Sequence, residues 1–205
     1  MKHSEEKNAA APKPQSESVF RDDIREAVRV MQSGGVILYP TDTIWGIGCD
    51  ACNEDAVRRV FEIKRRAEAK SVISLVDSEV KVEFYVRSVP DVAWQLWECS
   101  DEPLTLVLDG ARNLASGVIA SDGSVALRVT REAFSRQLCM RMKRAIVSTS
   151  ANIAGEPAPR CFSEISPEIL QAVDYVCLSR RDEAPRQTPS HIIKIGPSGE
   201  VKIIR

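Results

Sequence analysis

The chain has 205 residues, of which 43% are hydrophobic and 28% charged, an ordinary composition for a globular protein of one or at most two domains. Its net charge of −1 and its 5% of aromatic residues offer no broad surface for nucleic acid. No apolar run approaches the roughly 20 residues of a membrane helix, and the N-terminus lacks the apolar core of a secretory signal. We therefore expect a cytoplasmic protein with no membrane segment.

The first 18 residues are polar and low in apolar content, which predicts a disordered tail before a single domain at residues 19–205. A helix is predicted next, from apolar residues at helical spacing and a glycine that can end it: Ile24, Ala27, Val28, Met31 and Gly34. Residues 36–39 are apolar β-formers between a glycine pair and Pro40, and they predict a short buried strand.

A polar segment follows this strand where burial should continue. It contains the small side chains of residues 41–43, and then Gly46 and Gly48, which allow close approach of another group. An amphipathic helix capped by Asn53 comes next and ends in the cations of residues 64–66. Hydroxyls at a strand end, glycines and helix-borne cations together indicate a pocket for a polar, anionic small molecule.

The remaining chain alternates between predicted strands and helices without a long linker or a repeat. Strands are predicted at 71–76, 104–108, 124–129, 145–148 and 174–178, with a hairpin formed by 192–195 and 201–204. Helices are predicted at about 78–85, 91–99 and 132–142, and from Ser166 onward, where Pro167 takes the first helical position. This alternation predicts one α/β domain with a mixed sheet flanked by helices.

Several polar residues at or near the predicted strands can be interpreted in two ways. The cations of residues 64–66 could be solvated near a helix end, or Lys64 and Arg66 could turn toward the end of strand 71–76 and bind an anion. Arg128 alternates with apolar residues, so it faces either solvent or a cavity, and Thr105 raises the same question. The hydroxyl and amide groups of residues 148–152 could bond their own loop, or they could line a ligand site at a strand end.

Common catalytic and nucleotide-binding motifs are weak or absent in the sequence. Residues 46–51 match G-x-G-x-x-A, but six residues separate the glycines from the preceding strand, so we reject a dinucleotide site. Cys49 and Cys52 form a C-x-x-C without the second pair of a zinc ribbon, which favours packing of two reduced thiols over a metal or redox role. With two histidines and no paired acids, chemistry here should rely on positioning and charge neutralisation.

Six segments in this order resemble the YrdC-like threonylcarbamoyl-AMP synthase family. They are PTDTIWGIG, the K-x-R of residues 64–66, PLTLVL, SVALRV, STSAN and the closing PSHIIKI with VKIIR. The resemblance covers about residues 20–205 and implies an α/β domain with a deep, positively charged cavity. It also implies an enzyme, a nucleotidyltransferase that joins L-threonine, bicarbonate or CO2, and ATP into threonylcarbamoyl-AMP and pyrophosphate.

The resemblance assigns roles to residues that match the family motifs. It implies catalytic roles for Lys64 and Arg66, and a threonine site formed by Thr41, Arg128, Ser148 and Ser190. For ATP it implies contacts from Lys64, Ser124, Ser150, Asn152 and Arg205, with Thr105 as a further candidate. Mg²⁺ is expected to enter with ATP and to be held mainly by its phosphates, without a metal site of the protein's own.

Two other functions remain as alternatives. A non-catalytic RNA-binding module would show weak RNA binding, although the charge and the few aromatic residues argue against a broad RNA surface. A carbamoyl-transfer domain of a larger hydrogenase-maturation protein would be accompanied by acylphosphatase-like and zinc-finger regions, which this sequence lacks. The synthase is the hypothesis we carry forward, with a downstream threonylcarbamoyl transferase and tRNA as indirect partners.

Overall fold

The computed structural model describes residues 17–66, 72–185 and 189–205. These residues form six α-helices: α1 (Glu17–Gln32), α2 (Glu54–Ile63), α3 (Val82–Tyr85), α4 (Asp91–Cys99), α5 (Ala133–Met142) and α6 (Pro167–Ala172). The same residues form nine strands: β1 (Ile37–Tyr39), β2 (Gly46–Gly48), β3 (Ile73–Val76), β4 (Leu104–Leu108), β5 (Val125–Val129), β6 (Ile146–Ser150), β7 (Tyr175–Val176), β8 (His191–Ile195) and β9 (Val201–Ile203). Helix α1 includes the last two residues of the predicted tail, whose residues 1–16 lie outside the described ranges.

All nine strands belong to one sheet, in the order β7-β1-β2-β6-β3-β5-β4-β8-β9. Three neighbouring pairs, β1–β7, β3–β5 and β4–β8, are parallel, and the other five are antiparallel. The predicted α/β fold with a mixed sheet is therefore confirmed. In the described part of the chain, no helix is long and apolar enough to cross a membrane.

Local signals in the sequence set several helix boundaries. The Asn53 side chain accepts a hydrogen bond from the Ala56 N–H at 3.0 Å and caps α2, as predicted. Ser166 caps α6 in the same way, with Pro167 at its first position. Of the two tryptophans of α4, Trp97 is the buried one. The helix predicted at 78–85 is a 3₁₀ turn, Glu79–Lys81, followed by α3.

The polar segment after β1 contains a strand that the sequence did not predict. Strand β2 pairs antiparallel with both β1 and β6, so it is the third strand from the edge that β7 forms. At Gly48 a Cβ would lie 2.5 Å from the Tyr39 ring, so only glycine lets that ring cover the strand. Strand β6 is also longer than predicted and continues to Ser150. Its hydroxyl-bearing residues consequently lie in the sheet and not in a loop.

Candidate active site

A cavity of about 330 Å³ opens where the ends of β2, β6 and β8 meet the C-terminal end of α2. The charged side chains among its described lining residues are three arginines, Arg66, Arg128 and Arg205. Hydroxyls supply much of the remaining polar lining, from Thr41, Thr43, Ser148, Thr149, Ser150 and Ser190. A lining of cations and hydroxyls suits a ligand that carries carboxylate or phosphate groups. The depth of the basic cavity that the resemblance implies stays a prediction.

The turn between β1 and β2 forms one wall of this cavity. The Thr41 hydroxyl donates a hydrogen bond to the Ile44 carbonyl at 2.7 Å and accepts one from the Thr43 N–H at 3.1 Å. The Thr41 side chain thus stabilises its own turn, as in an ST turn. Thr41 therefore lines the cavity in a fixed position, close to Gly46, where a Cβ would lie 3.5 Å from the Thr41 methyl.

Arg128 faces the cavity and not solvent. It lies in β5 between Leu75 of β3 and Thr105 of β4, and it is only 3% exposed. Its Nη2 lies 3.0 Å from the Oδ1 of Asp42, on the turn after β1. Burial raises the pKa of Asp42, and the neighbouring guanidinium opposes that shift. The sequence could not decide between solvent and cavity because the groups around the Arg128 side chain, such as Asp42, come from distant parts of the chain.

The two cations at the end of α2 have different surroundings. Lys64 is 2% exposed, and its Nζ donates to the carbonyl oxygens of Ser150 and Asn152, the second at 2.7 Å, with Asn152 Oδ1 at 3.4 Å. Burial, and then the charge of Arg66, lower the pKa of Lys64 to about 8. Arg66 lines the cavity, and burial lowers the pKa of its guanidinium. Arg65 lies between them and pairs with Glu168 at 2.5 Å on the surface.

Lys64 thus ties the end of α2 to the turn that follows β6. Changing Lys64 to Met should lower the free energy of unfolding by about 1–3 kcal/mol, because two partly buried carbonyl groups lose their charged donor. Thermal or urea denaturation would measure this loss. Lys202→Met, on the exposed strand β9, is the matched control and should be nearly neutral. A Lys64→Met protein as stable as the wild type would show that these contacts do not hold the turn.

Ser190 and Arg205 form the opposite wall of the cavity. The Ser190 hydroxyl lies 3.0 Å from that of Thr105, which is itself buried and fixes the position of Ser190 from behind. The Arg205 Nε donates to the Ser190 carbonyl at 3.2 Å, and its backbone pairs with Ile192. These bonds hold Arg205 beside β8, two residues beyond the end of β9.

Three predicted ATP contacts, Lys64, Ser124 and Asn152, lie outside the described lining of the cavity. The Asn152 amide donates to the carbonyls of Ile153 and Glu156, at 3.0 and 2.7 Å, so it shapes the turn after β6. Ser124 is buried and donates to Asp122 at 2.6 Å. By strand alternation it shares a face with Arg128, four residues or roughly 13 Å away. Their roles in ATP binding stay predictions.

Sequence reasoning assigned no role to Asp42, Trp45 or Arg180, although all three contribute to the site. Trp45 lines the cavity, and its ring lies 4.9 Å from that of Phe162. Arg180 donates to the Thr41 carbonyl at 3.1 Å from a distant loop. The signal for Asp42 was its place between two threonines after a buried strand, where a carboxylate needs a partner. Trp45 and Arg180 gave no comparable signal.

The cysteines are free thiols in the structure. Cys49 is fully buried and burial raises its pKa, while Cys52 donates to the Asn113 carbonyl at 3.2 Å. Within the described ranges, no group of three or more His, Cys, Asp or Glu side chains is placed to hold a metal ion. The packing role of the C-x-x-C pair agrees with these contacts.

Comparison with known families shows to which family this chain belongs. The model of the Sua5/YciO/YrdC family, described as "Telomere recombination", matches residues 29–205. The chain belongs to the Sua5/YciO/YrdC family. Among curated members, the threonylcarbamoyl-AMP synthase of Stutzerimonas stutzeri is 34% identical over 180 residues, which cover 87% of this chain and 95% of that protein. Such relatives do not favour the RNA-binding alternative.

Solved structures of Sua5/YciO/YrdC proteins share the fold. The P. abyssi Sua5 complex with L-threonine gives a TM-score of 0.77 at 24% identity and matches 89% of this chain. This chain spans about half the length of that protein, since the match covers 53% of it. E. coli YciO gives a TM-score of 0.78 at 21% identity, over 94% of this chain and 90% of YciO.

Proposed function

We propose that this chain is an L-threonylcarbamoyladenylate synthase, a nucleotidyltransferase that makes threonylcarbamoyl-AMP and pyrophosphate from L-threonine, CO2 or bicarbonate, and ATP. The observation that carries the proposal is the grouping of arginines and hydroxyls from six separate segments around one cavity. Curated relatives named threonylcarbamoyl-AMP synthase support it, as does the binding of L-threonine by the P. abyssi protein.

The threonine end of the cavity lies, in this proposal, between the turn after β1 and strand β5. Arg128 binds the substrate carboxylate in a charge-assisted contact, and the hydroxyls of Thr41, Ser148 and Ser190 surround the rest of the molecule. A buried guanidinium is suited to this role because its attraction for an anion is little screened by water.

The nucleotide end lies toward Arg66, Arg205 and Ser150. Arg66 and Arg205 neutralise phosphate charge, while Lys64 holds the end of β6, where Ser150 lines the cavity. Mg²⁺ enters as part of the ATP substrate, bound mainly by the phosphates. The cations of the chain then act on negative charge that the metal leaves uncompensated.

The chemistry needs two bond-forming steps. The threonine amine adds to CO2 and releases a proton to water, which gives a carbamate. A carbamate oxygen then bonds to the α-phosphorus of ATP, while the bond from that phosphorus to pyrophosphate breaks. No side chain has to form a covalent intermediate, so positioning and charge neutralisation by Arg66 and Arg128 account for the protein's part.

The product is a mixed anhydride, which suits a cytoplasmic enzyme that passes it to a threonylcarbamoyl transferase acting on tRNA. Mass spectrometry of reactions with ¹³C-bicarbonate tests the proposal directly. We expect threonylcarbamoyl-AMP heavier by one mass unit, and only when ATP and L-threonine are both present. Unlabelled or undetectable product under these conditions would contradict the proposed reaction.

The substitution Arg205→Ala should weaken ATP binding about three- to thirtyfold, in the range of one partly exposed charge-assisted contact. Its backbone pairing with Ile192 is kept, so the melting temperature without ligand should barely change. Calorimetric titration with ATP measures the first effect, and titration with L-threonine is the internal control. ATP binding at the wild-type strength would remove Arg205 from the nucleotide site.

A further inference from the structure

The guanidinium of Arg128 is bound by the protein on one side only. Nη2 lies 3.0 Å from Asp42 Oδ1, whereas the buried Nε has no hydrogen-bond partner among the described residues. Buried N–H groups without an acceptor are rare in folded proteins. An acceptor from outside the chain, such as a substrate carboxylate, would satisfy Nε while Asp42 holds the other side.

Asp42 is itself fixed by the turn on which it lies. The turn is closed by the Thr41 hydroxyl, and the Thr41 carbonyl accepts a hydrogen bond from Arg180 at 3.1 Å. Arg180 also lies 3.0 Å from Glu132, whose carboxylate caps α5 through the Phe134 and Ser135 N–H groups. A chain of contacts thus joins α5 to the turn and restrains the backbone on which Asp42 lies.

The contact between Asp42 and Arg128 is close without being a well-aligned hydrogen bond. Asp42 Oδ1 has no hydrogen-bond partner among the described residues, although it lies within ion-pair distance of Nη2. Both side chains are largely buried, at 13% and 3% exposure. A buried ion pair contributes little net stability compared with apolar residues, so stability alone does not explain its presence in a ligand cavity.

We propose that Asp42 is a positioning residue that holds the Arg128 guanidinium in the orientation that receives the substrate carboxylate. This inference rests on the proposed function, because it assumes that Arg128 meets the carboxylate of L-threonine. The rival explanation makes Asp42 a competitor, an internal anion that the substrate must displace. The two explanations predict opposite changes when the charge of Asp42 is removed.

The test compares binding of L-threonine and L-threoninamide, which differ only in the group that faces Arg128. Calorimetric titration of the wild type should give about a hundredfold preference for L-threonine, the size expected for one buried charge-assisted contact. In Asp42→Asn this preference should fall to about tenfold or less, since a loosely held guanidinium discriminates poorly. An unchanged or increased preference would overturn the inference, and an increase is what the competitor explanation predicts.

Two further variants keep the test decisive. Asp50→Asn removes another buried carboxylate with an arginine partner, Arg144 at 2.8 Å, away from the described cavity lining. It should lower the melting temperature and leave the preference for L-threonine unchanged. Asp42→Glu keeps the charge but displaces it by about one bond length, so we expect a smaller fall, roughly threefold. If Asp42→Asn does not fold, an unchanged preference in Asp42→Glu overturns the inference.

The wild-type titration separates this inference from the proposed function. If the wild type binds L-threonine and prefers it to the amide, the proposed threonine site stands whatever the variants show. If the wild type binds neither compound at millimolar concentration, the proposed function fails and this inference falls with it.

Discussion

Alanine in place of Arg66 should lower kcat/KM for pyrophosphate formation by about two to four orders of magnitude, the usual cost of removing a preorganised charge from a phosphoryl site. Arg66 lines the cavity, and burial lowers its pKa, so its charge acts where water screens it poorly. Initial rates at varied ATP and L-threonine concentrations would measure the loss.

The neighbouring Arg65 provides the matched control. It has the same charge and adjoins Arg66 in the chain, but its guanidinium pairs with Glu168 on the surface. Arg65→Ala should keep kcat/KM within about twofold of the wild type, as surface ion pairs contribute little. Equal damage from both substitutions would mean that the loss reflects the loop and not the charge in the cavity.

Alanine in place of Arg128 should raise the KM for L-threonine by about thirtyfold to a thousandfold, equivalent to roughly 2–4 kcal/mol for a lost charge-assisted contact. The KM for ATP should change far less, because Arg128 lies at the threonine end in our proposal. Steady-state kinetics with each substrate varied in turn would separate the two effects.

The stability of Arg128→Ala needs a separate check, because this substitution leaves the buried Asp42 without its cation. Melting temperatures with and without ligand would show whether the protein is folded under assay conditions. A folded Arg128→Ala enzyme with the wild-type KM for L-threonine would rule out the carboxylate contact.

Local signals predicted the parts of the fold that depend on local chemistry. The Asn53 and Ser166 caps set helix starts because their side chains satisfy N–H groups within the same turn. The apolar cores of the strands could also be predicted, because their residue types favour strands locally. Strand β2, by contrast, has two glycines in three residues, and its pairing with β1 and β6 comes from distant chain. No local preference could reveal it.

The same distinction applies to the site. The sequence indicated a pocket beside the turn after β1, and the structure brings Thr41, Arg66 and Arg128 to one cavity. It could not show that the Lys64 ammonium meets carbonyl groups, because the acceptors lie 86 and 88 residues away. The role of Arg180 could not be predicted for the same reason, since it contacts the carbonyl of Thr41, which is 139 residues away in the sequence.

Pyrophosphate release from ATP is the most direct test of the proposed synthase. The assay compares complete reactions with reactions lacking L-threonine or bicarbonate, under a CO2-free atmosphere for the latter. We predict release only when all three substrates are present, because the carbamate must form before the α-phosphorus is attacked. Release at the same rate without L-threonine or without bicarbonate would contradict the account, and so would no release in the complete reaction.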